Sequence, residues 1–421
     1  DWVALLQELN VIDEQLNWSA GKAHLVSLGD LIDRGPGSRD VVELMMRLEG
    51  QAERAGGAVH LTLGNHEIMV MTGDLRFVTK AEFADFANDE TAADRDEMYT
   101  QFLTYNPGTS RAEFDENFPP GFVGLRRAYS LDGELGRWLA QKPFVVKVND
   151  KIYMHGGVSK DLSGDTISEV NKKLQFELRN YLSATQTLRK AGQLPWYVSE
   201  YDLLPYLNTS VTAFAEANPE ARPAWFEQVK QLFDMQEMLL VDPSKSPTWY
   251  RGTTRCHPLS ESFNTERFLK TNKARQLVVG HDPNPGRVLS RMENLVIRLD
   301  TGMLKSVYRG VASAMVINDG PDYIHYLGSG KREQPTPEKR ELSMQLSGMS
   351  DAELEDFMLT AAVTNVEDIG TGVTKPWRVT QERDGVTNDA VFKYEDTNPG
   401  MQDAKKYISR RYNDSDRYQY D

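Results

Sequence analysis

Four short apolar runs in this chain each stop on a cluster of glycine and polar residues. The run at 24–28 ends in Gly29-Asp30, that at 59–63 in Gly64-Asn65-His66-Glu67, that at 151–154 in His155-Gly156-Gly157, and that at 276–279 in Gly280-His281. Apolar runs of this length bounded by glycine read as strands. A helix with one polar face, at 38–54, separates the first two, and the order strand, helix, strand predicts a βαβ unit. Ligand sites in open α/β sheets lie at the carboxyl ends of the strands. All four clusters can therefore meet along one sheet edge, and the fold class expected is α/β.

The rest of the pattern is coarser. Val3, Leu5, Leu6, Leu9, Ile12 and Leu16 recur near helical spacing over residues 2–16. Residues 73–135 are rich in acidic and aromatic residues, with loop signals at Asn106-Pro107-Gly108 and Pro119-Pro120-Gly121, and read as an insertion able to cap the site. Phe77, Phe83 and Phe86 are expected to pack within it. Strands are predicted at 144–148 and 151–154, a second, mostly helical insertion at 161–240, strands at 276–279 and 294–299, and a hairpin at 312–327 turning at Asn318-Asp319-Gly320. The expected organisation is one domain over 1–328, a polar, Pro-containing linker at 329–345, and a small α+β extension at 346–421. The extension carries a helix from 350 to 362, capped by Ser350, and a hairpin around Asp384-Gly385.

Charge limits the partners. The chain has 421 residues and a formal charge of −14, from 48 basic and 62 acidic side chains, so its average surface repels nucleic acid and anionic membranes. Neither is an expected partner. A phosphorylated substrate would be repelled as well unless a local positive centre reverses the field, as bound metal ions do. No apolar run approaches the length of a bilayer span, and a soluble chain of the cytoplasm or periplasm is expected. The single cysteine, Cys256, excludes an internal disulfide framework and a thiolate metal cluster, and reads as a buried, inert thiol.

The polar clusters supply a carboxylate, an amide oxygen and imidazoles, a set without sulfur that suits Mn, Fe or Zn better than Ca or Cu. Hydrolysis of a phosphate ester needs its anionic oxygens neutralised, a water deprotonated near neutral pH, and a proton for the leaving oxygen. Two ions about 3.5–4 Å apart meet the first two needs. Asp30 is the candidate bridging ligand, and Asn65, His155 and His281 would complete the shell of one ion. His66 would be the general acid, with Asp33 holding its tautomer. Arg34 is a forked, permanently charged donor suited to two phosphate oxygens.

The ordered set resembles the calcineurin-like metallophosphoesterase superfamily. Within it, Gly29-Asp30-Leu31-Ile32-Asp33-Arg34-Gly35 matches the Gly-Asp-x-x-Asp-Arg-Gly motif of the phosphoprotein-phosphatase branch. Gly136-Arg137-Trp138-Leu139, His155-Gly156-Gly157-Val158, Trp249-Tyr250-Arg251-Gly252 and Asp300-Thr301-Gly302 extend the match, most closely to the bacterial Shewanella-like phosphatases. The resemblance covers residues 1–328. It implies a β-sandwich flanked by helices, with two divalent metal ions, manganese first, at one edge. It also implies Arg251 as a second phosphate-binding arginine, and attack by a metal-bridging hydroxide on a phosphorylated protein or a small phosphate ester. The family's opening Gly-Asp-x-His-Gly motif has no counterpart in the chain, and the aspartate and histidine it gives to the second ion are expected ahead of Asp1.

Two other functions fit parts of the pattern. Symmetrical diadenosine tetraphosphatases share the string Arg34-Gly35-Pro36-Gly37-Ser38, although Asp33 and the long insertions speak against that substrate. An inactive phosphate-binding module would explain the missing first motif, but not the intact His66, Asp33 and Arg34. Gly370-Thr371-Gly372 with Lys393 is read as an ordinary hairpin rather than a nucleotide-binding one.

Overall fold

The computed structural model describes residues 1–218, 220–235, 238–284, 286–338, 351–368 and 377–392. The chain divides into two compact units, Asp1–Glu338 and Lys339–Asp421. The first is built on a six-stranded sheet of mixed direction. Its strands are β3 (Val145–Val148), β4 (Lys151–Met154), β5 (Gln276–Val279), β6 (Leu289–Arg291), β7 (Val296–Arg298) and β10 (Thr336–Pro337), in the order β10-β6-β7-β5-β4-β3. A parallel pair, β1 (His24–Ser27) and β2 (Ala58–Leu61), and an antiparallel hairpin, β8 (Ser313–Val316) and β9 (Tyr323–Tyr326), form two further small sheets.

Alternation along the central strands buries both faces of the sheet. Ile152 and Met154 of β4, Leu277 and Val279 of β5, and Val296 of β7 join the large core shared with the helices. Tyr153, Val278 and Ile297, one residue out of step, pack on the other side with Ile324 and Tyr326 of β9 and against Val26 of β1. The molecule is thus layered, with helices on one face of the sheet and short strands on the other. Helix α2 (Ser38–Ala55) completes the predicted βαβ unit and ends at Gly56, whose φ of 80° closes it in the left-handed conformation.

Some boundaries differ from the sequence reading. Helix α1 covers only Trp2–Glu8. Beyond it Asn10 turns left-handed, at φ 53°, and the Asp13 carboxylate accepts from the backbone N–H groups of Gln15 and Asn17. Local side-chain bonding therefore diverts the apolar pattern of 9–16 from a helix. Other segments agree with the sequence reading: residues 73–135 are a succession of helices, among them Ala92–Tyr105 and Phe122–Ala128, interrupted at the predicted loops 106–108 and 119–121, and 161–240 is mostly helical, with the long helix Ile167–Lys190. Cys256 is exposed, against expectation, because it sits at the C-terminal end of the short helix Gly252–Arg255. Among the described residues no helix is long and apolar enough to cross a membrane.

The second unit pairs the helix Asp351–Thr360 with an antiparallel sheet of Ala362–Asp368, Trp377–Arg383 and Val386–Phe392. Its hairpin turns at Asp384 and Gly385, both at positive φ, as a two-residue turn requires. The strand at Ala362–Asp368 lies just where the predicted helix ends. Gly370-Thr371-Gly372, Lys393 and the Ser350 cap lie outside the described residues.

Glu200, between two helices of the first unit, is pushed up to about 7. Burial is the main cause, opposed by the Thr72 hydroxyl and reinforced by Asp74, with Arg76 and Arg126 pulling it down. Thr72 Oγ1 lies 2.6 Å from Glu200 Oε2 and 3.1 Å from the Met69 carbonyl, and its one proton cannot serve both. A protonated Glu200 donating to Thr72 satisfies all three groups. A carboxyl raised in the folded state binds its proton more tightly there, so its stabilising contribution is complete below about 4.5 and is lost as pH rises through about 7. Wild type and E200Q should therefore melt alike at pH 5. By pH 7.5 wild type should be the less stable, by at most about 3 kcal/mol, as read from denaturation curves of the pair.

Candidate metal centre and phosphate site

The loops after β1 and β2 approach closely enough that only glycine fits. A Cβ on Gly29 would lie 2.4 Å from the Gly64 backbone nitrogen, and one on Gly64 would lie 2.2 Å from Asp30 Oδ1. Glu67 fastens the two loops together. Its Oε2 accepts from the backbone N–H of Asp30 at 2.9 Å and of Gly64 at 2.8 Å, and its Oε1 accepts from Leu31 N–H at 2.7 Å. Asp30 is thereby held left-handed, at φ 54°, with Oδ1 accepting from His66 N–H at 3.2 Å and Oδ2 turned toward His155.

His155 follows β4 and His281 follows β5, its parallel neighbour, so their rings come within 4.8 Å of each other. Each ring has one nitrogen assigned by a backbone carbonyl. His155 Nδ1–H donates to Leu28 at 2.6 Å, and His281 Nε2–H donates to Trp249 at 3.1 Å. The remaining nitrogens, His155 Nε2 and His281 Nδ1, face each other 3.0 Å apart. Asn65 Oδ1 lies 3.1 Å and Asp30 Oδ2 3.2 Å from the same His155 Nε2. Four potential ligand atoms thus converge, and their mutual repulsion is relieved either by a proton on His155 Nε2 or by a cation lying between them. Ligand atoms about 2.1 Å from one ion and at right angles to each other are about 3 Å apart, so the spacing fits a first-row divalent ion. Asp30, His155 and His281 offer ligand atoms all within 4.8 Å of one another.

Electrostatics agree with this arrangement. Burial opposes charge on Asp30, but His155, His66 and His281 together hold its carboxyl far below the usual range. Burial, then His155 and Arg251, keep His281 well below its ordinary value and hence neutral. Burial also works against the His155 cation, but Asp30 outweighs it and raises the ring.

The other sequence-chosen residues surround this cluster. His66 Nδ1–H donates to Asp33 Oδ2 at 2.5 Å, and both groups are buried, 3% and 8% exposed. Burial lifts Asp33 against the pull of His66, whereas Asp30 and Asp33 overcome burial to raise His66, so the pair retains its proton. His66 Nε2 lies 4.0 Å from Asp30 Oδ2. Among the described residues no ion pair holds Arg34 or Arg251. Arg34 instead lies over the rings of Phe77, at 4.4 Å, and Tyr308, at 5.4 Å, and Arg251 has a buried Nε without a partner. Burial lowers both guanidinium groups, with Asp30 pulling the other way.

Several contributors escaped the sequence reading. Glu67 stood in a noted motif without a role. Glu82 and Ser38 bind the Asp33 backbone N–H, and Phe77 touches both His66, at 5.1 Å, and Arg34. Phe83 and Phe86 are core residues as expected, whereas Phe77 belongs to the site. Asp300 is pushed up to about 6 by burial, with the Gly302 N–H opposing.

The sequence profile of the calcineurin-like phosphoesterases matches residues 1–285. The chain belongs to that family. Calcineurin-like phosphoesterases are metal-dependent hydrolases of phosphate esters with a dinuclear site, and this member is accordingly a phosphatase. It is 28% identical over 178 residues to Shewanella-like protein phosphatase 2 of Arabidopsis thaliana, a match spanning 39% of this chain and 45% of that one. Shewanella-like protein phosphatase 1 of Plasmodium berghei is 22% identical over 324 residues, 77% of this chain and 66% of its own. A solved cold-active protein tyrosine phosphatase superposes with a TM-score of 0.50 at 25% identity, covering 79% of this chain and 73% of that structure.

The clamp generates a test. E67Q leaves one acceptor oxygen for three backbone N–H groups and places an NH2 against one of them. The variant should lose about 1–3 kcal/mol of stability and bind divalent metal about 10–100-fold more weakly, as read by thermal denaturation and metal titration. Undiminished metal affinity would show that the clamp does not position the ligands.

Proposed function

We propose that the protein is a phosphoprotein phosphatase that hydrolyses phosphate monoesters on serine, threonine or tyrosine side chains, with manganese as the favoured metal before iron or zinc. The observation that carries this reading is the meeting of a cluster of metal-ligating atoms, a buried His66–Asp33 pair and two arginines free of carboxylate partners at one sheet edge. Its phosphoprotein aspect is supported by relatives whose names specify protein phosphatases and a protein tyrosine phosphatase.

In this reading Asp30, Asn65, His155 and His281 hold one ion, and Asp30 also faces the second. When bound, such ions neutralise phosphate oxygens and lower the pKa of water enough to supply a nucleophile at neutral pH. Arg34 and Arg251 bind the remaining phosphate oxygens, the one stacked on Phe77 and Tyr308, the other with its Nε–H unspent. Water adds to phosphorus as the ester P–O bond breaks, and His66 gives its Nε2 proton to the departing oxygen. The proton lost by water passes to solvent, from which His66 is recharged. Asp33 keeps Nδ1 protonated so that Nε2 faces the reaction, and with Asp30 it favours the imidazolium that the step requires.

Phosphotyrosine peptide, phosphoserine peptide and a dinucleoside tetraphosphate assayed side by side with Mn should show turnover of a phosphopeptide above the dinucleotide. A preference for the dinucleotide would replace the substrate assignment. Chelation should abolish activity and Mn restore it. H66A should lower kcat about 10²–10⁴-fold with little change in KM, and an H66A protein as active as wild type would remove the general-acid role.

A further inference from the structure

Behind the helix Asn65–Thr72, away from the residues assigned to the metals, the first unit contains a cavity of about 210 Å³ whose lining includes Met71, Arg126, Thr185, Arg189, Lys190 and Trp196. Two of its arginines are unusual. Arg126, on the helix Phe122–Ala128, is only 4% exposed, and its Nε is buried without a partner. Its one hydrogen bond among the described residues is a long one, 3.5 Å, to the Val198 carbonyl. Its guanidinium lies so close over Gly73 that a Cβ there would meet Nη1 at 2.0 Å. Arg189, near the end of the helix Ile167–Lys190, also has a buried Nε without a partner and rests 4.7 Å over the ring of Trp196.

Neither arginine has a counter-ion within ion-pairing distance among the described residues, and the nearby acids are spoken for. Asp132 pairs with Lys190 at 2.9 Å and Asp94 pairs with Arg127 at 2.6 Å. Glu200 is engaged by Thr72 and sits near neutrality. Burial, and for Arg189 the neighbouring Arg126, lower the two guanidinium groups, to about 10 for Arg126 and about 9 for Arg189. Both remain charged at neutral pH. A buried and a half-buried cation sharing one cavity repel each other and are poorly solvated, a situation that an anion relieves.

We propose that this cavity is a second, non-catalytic anion site that takes a phosphate-class oxyanion between Arg126 and Arg189. A guanidinium presents a planar fork of N–H donors, and two such forks suit a tetrahedral oxyanion better than a single carboxylate. The volume exceeds the space of a few waters and falls short of the about 300 Å³ of pockets for drug-sized ligands. It therefore holds inorganic phosphate or a phosphate on a short stem. Because Met71 belongs to the helix that carries Asn65 and His66, and Gly73 ends it, the bound anion would brace the far end of that helix.

Calorimetric titration of the metal-loaded protein with inorganic phosphate tests the site separately from the phosphatase reading. Two equivalents per chain are expected. The R34Q/R251Q double variant should lose one, and R189Q should weaken the other about tenfold or more while KM for substrate stays within about twofold. If R189Q does not fold, the equivalent that survives in R34Q/R251Q carries the result. A single equivalent that vanishes in R34Q/R251Q, or two equivalents untouched by R189Q, would overturn the inference and leave the catalytic assignment standing.

Discussion

One carboxylate holds the centre of this molecule together. Glu67 stands at the third position of its helix, where a glutamate ordinarily reaches back to the backbone N–H of its own cap. Here it does that for Gly64 and also takes the N–H groups of Asp30 and Leu31 from the neighbouring loop. Three backbone donors in a buried place would each cost free energy if left unpaired. Their common acceptor fixes the two loops at a separation only Gly29 and Gly64 tolerate. The left-handed backbone of Asp30, Asp33 and Arg34, about 1–3 kcal/mol of strain each, is held by that junction and by Glu82, Ser38 and the Phe77 carbonyl.

The second half of the centre follows from strand pairing alone. Met154 of β4 is in register with Val279 of β5. The residues just beyond must therefore emerge side by side, and the Gly280 N–H donating to the His155 carbonyl continues the ladder by one more step. His155 and His281 then meet with no dedicated packing, and the carbonyls of Leu28 and Trp249 decide which nitrogens face inward. The sheet that delivers them is buried on both faces, so its register cannot slip without exposing Ile152, Leu277 or Tyr153.

Much of this was legible because its signals are local. Strand-then-glycine punctuation located Asp30, Asn65, His155 and His281 without knowledge of the fold, and the Asp384-Gly385 turn announced its hairpin. Features that depend on distant partners were not legible. Nothing in 73–90 says that Phe77 will lie on His66, across the turn that ends the helix at Gly73, or that Glu82 will take the Asp33 N–H, 49 residues away. The helix expected over 2–16 failed for a different reason. Hydrophobic spacing there was sound, but Asp13 offers the backbone a competing set of hydrogen bonds that periodicity does not register. The strand Ala362–Asp368, which begins where the expected helix ends, went unpredicted.

The arginines show how an acidic protein with 14 excess negative charges presents positive charge where an anion must bind. A guanidinium paired with a carboxylate is neutralised and offers little to an incoming phosphate. Arg34 is held instead between the faces of Phe77 and Tyr308, and Arg189 against Trp196. An aromatic face supports a cation by its quadrupole and by contact, without a formal charge of opposite sign and without using the N–H donors at the edge of the fork. The cation stays ordered, and its hydrogen-bonding capacity stays available. An exposed arginine elsewhere, Arg275 with Asp150, follows the opposite pattern and is cancelled by an acid. Stacking alone does not mark such a place: Arg39, Arg76 and Arg111 also lie over aromatic rings, but their forks are spent on acids, whereas those of Arg34 and Arg189 are not.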